Sequence, residues 1–84
     1  MDISLRGELW DNDSADVLRF WGWRDITAPM DIAGALERAG GEDVTLLVNS
    51  PGGDMAVGLE IRSMLRRYAG KTTALFHGFG ASAA

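Results

Sequence analysis

An α/β fold built around a mostly parallel sheet is predicted by three features of the sequence. Val44–Val48 is an apolar run interrupted only by Thr45, with the length and β-branched content of a strand covered on both faces. Thr72–Phe76 is a second strand-like run. Between them, after Gly52-Gly53, Met55, Leu59, Ile61, Met64, Leu65 and Tyr68 mark a helix that meets a stop at Gly70. Strand, helix and strand make Val44–Phe76 a βαβ unit, whose crossover is right-handed by the general rule for such units.

The remaining elements follow in order. Asp2–Leu9 alternates, with Ile3, Leu5, Gly7 and Leu9 on one side and Ser4, Arg6 and Glu8 on the other, the period of a half-buried strand. The stretch from Trp10 to Asp25 opens with Asp11, Asn12, Asp13 and Ser14, which offer turn and N-cap chemistry, and reads as a short helical turn inside a loop. Its aromatic residues Trp10, Phe20, Trp21 and Trp23 are expected chiefly in the core, with cover of a sheet edge or a subunit contact as the other use. Thr27 can cap a helix beginning at Ala28-Pro29, in which Met30, Ala33, Leu36 and Ala39 recur at helical spacing up to Gly40-Gly41.

Composition narrows the function classes. Eighty-four residues allow one small domain, which buries roughly 60% of the surface its unfolded chain exposes. Hydrophobic content of 46%, with three tryptophans, argues against disorder. Net charge is −4, and the one basic cluster, Arg62, Arg66, Arg67 and Lys71, reads as a solvated helix face, so no nucleic-acid partner is expected. Without cysteine and with a single histidine, His77, the chain offers neither a disulfide framework nor a thiolate or histidine-rich metal centre, and no metal or cofactor is implied. No run approaches the roughly eighteen apolar residues of a membrane span, and the N-terminus lacks the pattern of a signal peptide, so a cytoplasmic location is expected.

Two segments carry chemistry. Asn49-Ser50-Pro51-Gly52-Gly53 lies where a parallel strand gives way to a helix, the place where open α/β sheets hold their ligands. The other reading of that segment is a tight turn dense in turn-forming residues. A phosphate-binding loop is disfavoured, because the Gly-x-x-x-x-Gly-Lys-Ser/Thr spacing is absent. Gly78-Phe79-Gly80-Ala81-Ser82-Ala83-Ala84 then sets one serine among residues with almost no side chain, 29 positions after Gly53. A hydroxyl attacking a carbonyl needs room for its substrate and backbone N–H donors for the developing oxyanion, so the pair suggests a serine nucleophile with an oxyanion-binding loop. Taken alone, Ser82 would instead be a small packing residue at a helix start. His77 closes the preceding strand and is read as structural, and Asp54 as a stabiliser of the following helix rather than a triad acid.

The Asn-Ser-Pro-Gly-Gly loop, the Gly-x-x-Ala-Ser element and their separation resemble the Clp-type serine peptidases, and most closely the phage and prophage head-maturation proteases of that group. Signal-peptide peptidases and crotonase-fold enzymes share parts of the loop. The resemblance covers essentially the whole chain but only the first half of such a protein. It implies a ClpP/crotonase-like fold of stacked βαβ units with a mostly parallel sheet, in which residues 1–84 form the N-terminal part of a single peptidase domain. By position it implies Ser82 as nucleophile, the backbone N–H groups of Gly53 and Ala83 as oxyanion hole, and Ser50, Pro51, Gly52 and Gly53 as a loop that binds substrate backbone as an added strand.

The family's histidine base, its aspartate and its helical handle lie downstream of the serine, outside these residues. The 84 residues alone are therefore expected to be inactive, and homo-oligomeric ring assembly is expected of the full-length protein only. The strand beginning at Asp2 leaves no axial loop for an unfolding ATPase, and the aromatic insertion around Trp21 fits the phage branch, for which a capsid or scaffold protein would be the polypeptide substrate. Two rival readings accompany this one: a non-catalytic assembly or inhibitory subunit pairing with a longer relative, and a crotonase-like acyl-CoA enzyme using the glycine loop without a nucleophile.

Overall fold

Gly7 divides the predicted first strand in two. In the computed structural model, which describes residues 1–76, β1 (Asp2–Arg6) and β2 (Glu8–Leu9) flank Gly7 at φ 70° and enter different sheets. The main sheet is parallel, with β4 (Val44–Asn49) between β1 and β5 (Thr72–Phe76). Leu5 lies opposite Val48, and Val48 opposite Phe76. The second sheet pairs β2 in parallel with β3 (Ile26–Thr27), a strand too short for periodicity to reveal. Thr27 is buried, and its hydroxyl accepts from the Arg6 N–H (3.1 Å) and donates to the Arg6 carbonyl (2.7 Å). It thus fastens the outer edge of β1 and is not the cap of the helix that follows.

The predicted loop helix is longer than expected, running as α1 over Asn12–Phe20. Asp11 caps it by accepting the Ser14 N–H at 3.0 Å. Hydrogen bonds from Ser14, first from its hydroxyl and then from its backbone, hold the exposed Asp11 carboxyl below its ordinary value. The folded value lies below the unfolded one, so the cap's contribution is complete above the ordinary carboxylate range and is lost as pH falls through the lowered value. The Ser14 amide resonance is expected to titrate with a midpoint below about 3.9, the ordinary aspartate value, and Asp11→Asn to abolish that titration; a midpoint at or above it would contradict the capping role.

α2 (Pro29–Ala39) starts on donors satisfied by its own Asp31 and by Asn12 of α1. The Asp31 carboxylate accepts the Ala28 N–H at 2.9 Å and pairs with Arg19 of α1 at 2.7 Å, and the Asn12 side chain accepts the Met30 N–H at 2.9 Å. Its buried face is Pro29, Ile32, Ala35, Leu36 and Ala39, one residue round from the stripe predicted, which leaves Met30 and Ala33 exposed. Gly40 ends the helix in the left-handed conformation, φ 61°. α3 (Met55–Arg67) likewise turns Val57, Gly58 and Ile61 inward, while Met55 and Leu59 face outward. It stops at Arg67 rather than through a glycine cap. Gly70 is required for a different reason: a Cβ there would lie 2.5 Å from the Glu42 carbonyl oxygen.

The core lies on one face of the main sheet, where Ile3, Leu5, Val44, Leu46 and Val48 meet Ile32, Leu36, Val57 and Ile61. The opposite face is open among the described residues. Leu47, expected to be covered, is exposed, as is Leu75, its register partner in β5. The aromatic insertion also departs from the core expectation. Trp10 is half-buried against a small second cluster of Ala15, Ile26 and Ala28, whereas Phe20, Trp21 and Trp23 are 84%, 73% and 49% exposed. Phe20 and Trp21 pack edge to face with ring centroids 5.8 Å apart. Arg62, Arg66, Arg67 and Lys71 form the solvated surface expected of them.

Candidate functional site

The Asn49–Asp54 segment leaves the carboxyl end of β4 and enters α3. Asp54 is the N-cap of α3, its carboxylate accepting from Ala56 N–H (2.9 Å) and Val57 N–H (3.3 Å), which is the helix-stabilising role expected of it. Upstream, Gly52 and Gly53 take φ values of 103° and 143°, and Gly53 lies beside Leu9 in an isolated parallel bridge. The loop thereby extends the small sheet of β2 and β3 by one residue.

That bridge fixes the direction of each polar group. Leu9 donates its N–H to the Gly52 carbonyl (3.0 Å) and accepts the Asp54 N–H on its own carbonyl (3.0 Å). A residue paired in this parallel pattern bonds to the neighbours of its opposite number, so the N–H and C=O of Gly53 itself point the other way. Peptide planarity gives the same result: the Gly53 N–H is trans to the Gly52 carbonyl, which faces Leu9, and so points away from β2. Gly53 is exposed, and its N–H has no acceptor among the described residues. An outward N–H in a rigid loop can receive an oxygen that carries negative charge.

A side chain at Gly53 could not be accommodated, because a Cβ would stand 2.5 Å from the Leu9 carbonyl oxygen and 2.6 Å from the Leu9 nitrogen. Ser50 is buried; its hydroxyl donates to the Gly7 carbonyl and accepts the Gly52 N–H at 3.0 Å. Gly7 in turn donates to the Asn49 carbonyl at 3.1 Å. Of the residues singled out in this loop, Ser50 and Gly52 are therefore turned inward, while Pro51 and Gly53 are exposed. The sequence reading passed over Leu9 and Gly7, which hold the loop from beneath. The glycine within an otherwise alternating strand was the one signal that could have pointed to them.

Beside the loop, Ser4, Arg6, Leu47, Asn49 and Leu75, which share the uncovered sheet face, line with Val48 and Phe76 an open depression of about 360 Å³. Because Val48 and Phe76 are in register, β4 and β5 finish at the same edge of the sheet. His77, Ser82 and Ala83 lie outside the described residues.

Residues 30–84 match the family model described as Clp protease. The chain belongs to the Clp protease family. Among solved structures it is similar to the crystal structure of the ClpP protease catalytic domain from Plasmodium falciparum, with 22% sequence identity and a TM-score of 0.60. The match covers 92% of this chain and 36% of that one, so these residues span little more than a third of that catalytic domain. The likeness establishes the Clp protease fold, with its mixed α/β architecture and parallel sheet, for this chain. No curated protein matches it. Among the described residues of this Clp protease family member, no helix is long and apolar enough to cross a membrane.

Proposed function

We propose that these 84 residues are the N-terminal part of a Clp-type serine endopeptidase domain that cleaves peptide bonds through an acyl-enzyme on Ser82. In this reading the Ser82 Oγ attacks the scissile carbonyl carbon, its proton passing to a base, and the carbonyl oxygen becomes an oxyanion held by the N–H groups of Gly53 and Ala83. The amine leaves with a proton, and water then releases the acid by the same route. The substrate backbone lies along Ser50–Gly53 as an added strand. Base and acid come from parts of the domain beyond these residues, and His77 is given no part in the chemistry.

The observation that carries the reading is the Gly53 N–H, without an acceptor among the described residues and aimed outward at the carboxyl edge of a parallel sheet, in a chain of the Clp protease family. The end of β5 beside the loop supports it, since Phe76 brings the chain to that edge six positions before Ser82. The finer proposals are head maturation in a phage or prophage, a capsid or scaffold protein as substrate, a homo-oligomeric ring and action in the cytoplasm. The phage assignment draws support from the aromatic insertion, whose exposed Phe20, Trp21 and Trp23 suit a contact surface.

The test uses the complete reading frame that contains these residues. It is expected to hydrolyse an unfolded polypeptide and to be labelled at Ser82 by a fluorophosphonate. Ser82→Ala should abolish labelling and lower turnover by about 10⁴-fold or more. Hydrolysis that survives Ser82→Ala, or label found on another residue, would refute the assignment.

A further inference from the structure

Two consecutive glycines in left-handed territory have no intrinsic reason to stay there, because glycine visits the competing conformations almost as readily. The loop therefore needs an external constraint on each side of the Gly52–Gly53 peptide. Leu9 supplies one by binding the Gly52 carbonyl and the Asp54 N–H. The Ser50 hydroxyl supplies the other. It is 3% exposed, too deep to touch a substrate, and it both accepts the Gly52 N–H and donates to the Gly7 carbonyl. One hydroxyl offers one proton and two lone pairs, so these two bonds use its donor and part of its acceptor capacity. Gly7 is itself fixed, its N–H on Asn49 and the following Glu8 N–H on Asp25.

We infer that the Ser50 hydroxyl is a positioning group rather than a substrate contact: it fixes the Pro51–Gly52 peptide, and with it the direction from which the Gly52–Gly53 peptide, held by Leu9, presents the Gly53 N–H outward. This rests on the proposed role of Gly53 as an oxyanion donor. Rotating that peptide by half a turn would exchange the outward N–H for a carbonyl oxygen, which repels an anion instead of binding it. Leu9 opposes that rotation directly, through the Gly52 carbonyl, and Ser50 indirectly, by holding the preceding peptide through the Gly52 N–H. Thr27 performs the corresponding service one strand away, on Arg6, so the kink to which Ser50 is tied is held from its other side.

Amide hydrogen exchange on the ¹⁵N-labelled 84-residue chain tests the inference without any need for turnover. In the unsubstituted chain the Gly52 amide is expected to be protected and the Gly53 amide to exchange close to the free rate. Ser50→Ala should reduce Gly52 protection by about tenfold, the equivalent of one hydrogen bond, and shift the Gly53 resonance, leaving the Leu46 and Val48 amides unchanged. An unprotected Gly52 amide in the unsubstituted chain overturns the lock even if Ser50→Ala fails to fold. Unaltered Gly52 and Gly53 signals in Ser50→Ala overturn it too, as does a loss of protection spread evenly over β1 and β4, which would make Ser50 merely structural. Should hydrolysis by the complete protein survive Ser82→Ala while these amides behave as expected, the peptidase reading falls and the lock stands.

Discussion

Gly7→Ala is expected to abolish the cooperative thermal transition of the chain. Gly7 sits at φ 70°, and a Cβ there would run into the backbone carbonyl of Asp25. Left-handed backbone costs a residue with a side chain about 1–3 kcal/mol. The collision adds to that, since relieving it displaces Asp25, which accepts the Glu8 N–H at 3.1 Å and begins the β2–β3 pairing. A chain of this size has a stability of about 4–13 kcal/mol from the usual per-residue range, and small domains fall toward the lower end. Strain and collision together reach that lower end. Gly22→Ala is the control: its φ is 93°, but nothing lies within 4 Å of the added methyl, so only the strain remains. Circular dichroism melts of the two variants separate the effects, and a Gly7→Ala midpoint close to that of Gly22→Ala would show that the collision is relieved without loss of structure.

Leu5→Ala carries the second large effect. Leu5 is 1% exposed and belongs to the large cluster beneath the main sheet. Truncating a buried leucine costs about 2–5 kcal/mol, the spread depending on how far the surroundings collapse into the cavity. Collapse is restricted at this site, because β1 is held in register by β4 and its outer edge is fastened by Thr27. Leu47→Ala in the adjacent strand provides the comparison, as Leu47 points to the open face. Chemical denaturation should give a midpoint for Leu5→Ala well below that of Leu47→Ala; equal midpoints would mean that the two faces of the sheet are equally supported.

Much of this architecture was legible from periodicity. The βαβ unit from Val44 to Phe76 stood out because β-branched apolar runs flank a helical pattern, and the structure places both strands and the helix there. Asp54 was legible as a helix-stabilising acid from its place beside the glycines. The division at Gly7 was not, since alternation continues through Leu9 and a pattern of period two carries no record of a change of sheet. β3 escaped because two residues have no period. The faces of α2 and α3 shifted for a common reason: methionine and leucine were counted by hydrophobicity, whereas Met30, Met55 and Leu59 lie on outer surfaces and the smaller Ala35, Val57 and Gly58 allow close approach to the sheet. Continuous hydrophobicity in β4 suggested cover on two sides, and Leu47 lacks it among the described residues. At the candidate site, the glycine pair was visible in sequence, whereas its dependence on Leu9 was not, because the contact is made by backbone atoms that any residue could supply.

The connection between Gly7 and Ser50 spans 43 positions, and that between Arg6 and Thr27 spans 21. Among the described residues every strand pairing is parallel, and none has the sequence proximity of a hairpin. Such topologies form late, because the entropy of closing a long loop must be lost before any pairing repays it. During synthesis at about 5–20 residues per second, β1 would wait seconds for β4 to emerge, with Ile3 and Leu5 exposed throughout. α1 and α2 are made within that interval, but the order of assembly runs outward from the centre: β4 is the strand on which both β1 and β5 must nucleate, so the rate at which this chain acquires its glycine loop is set by how quickly its middle is made.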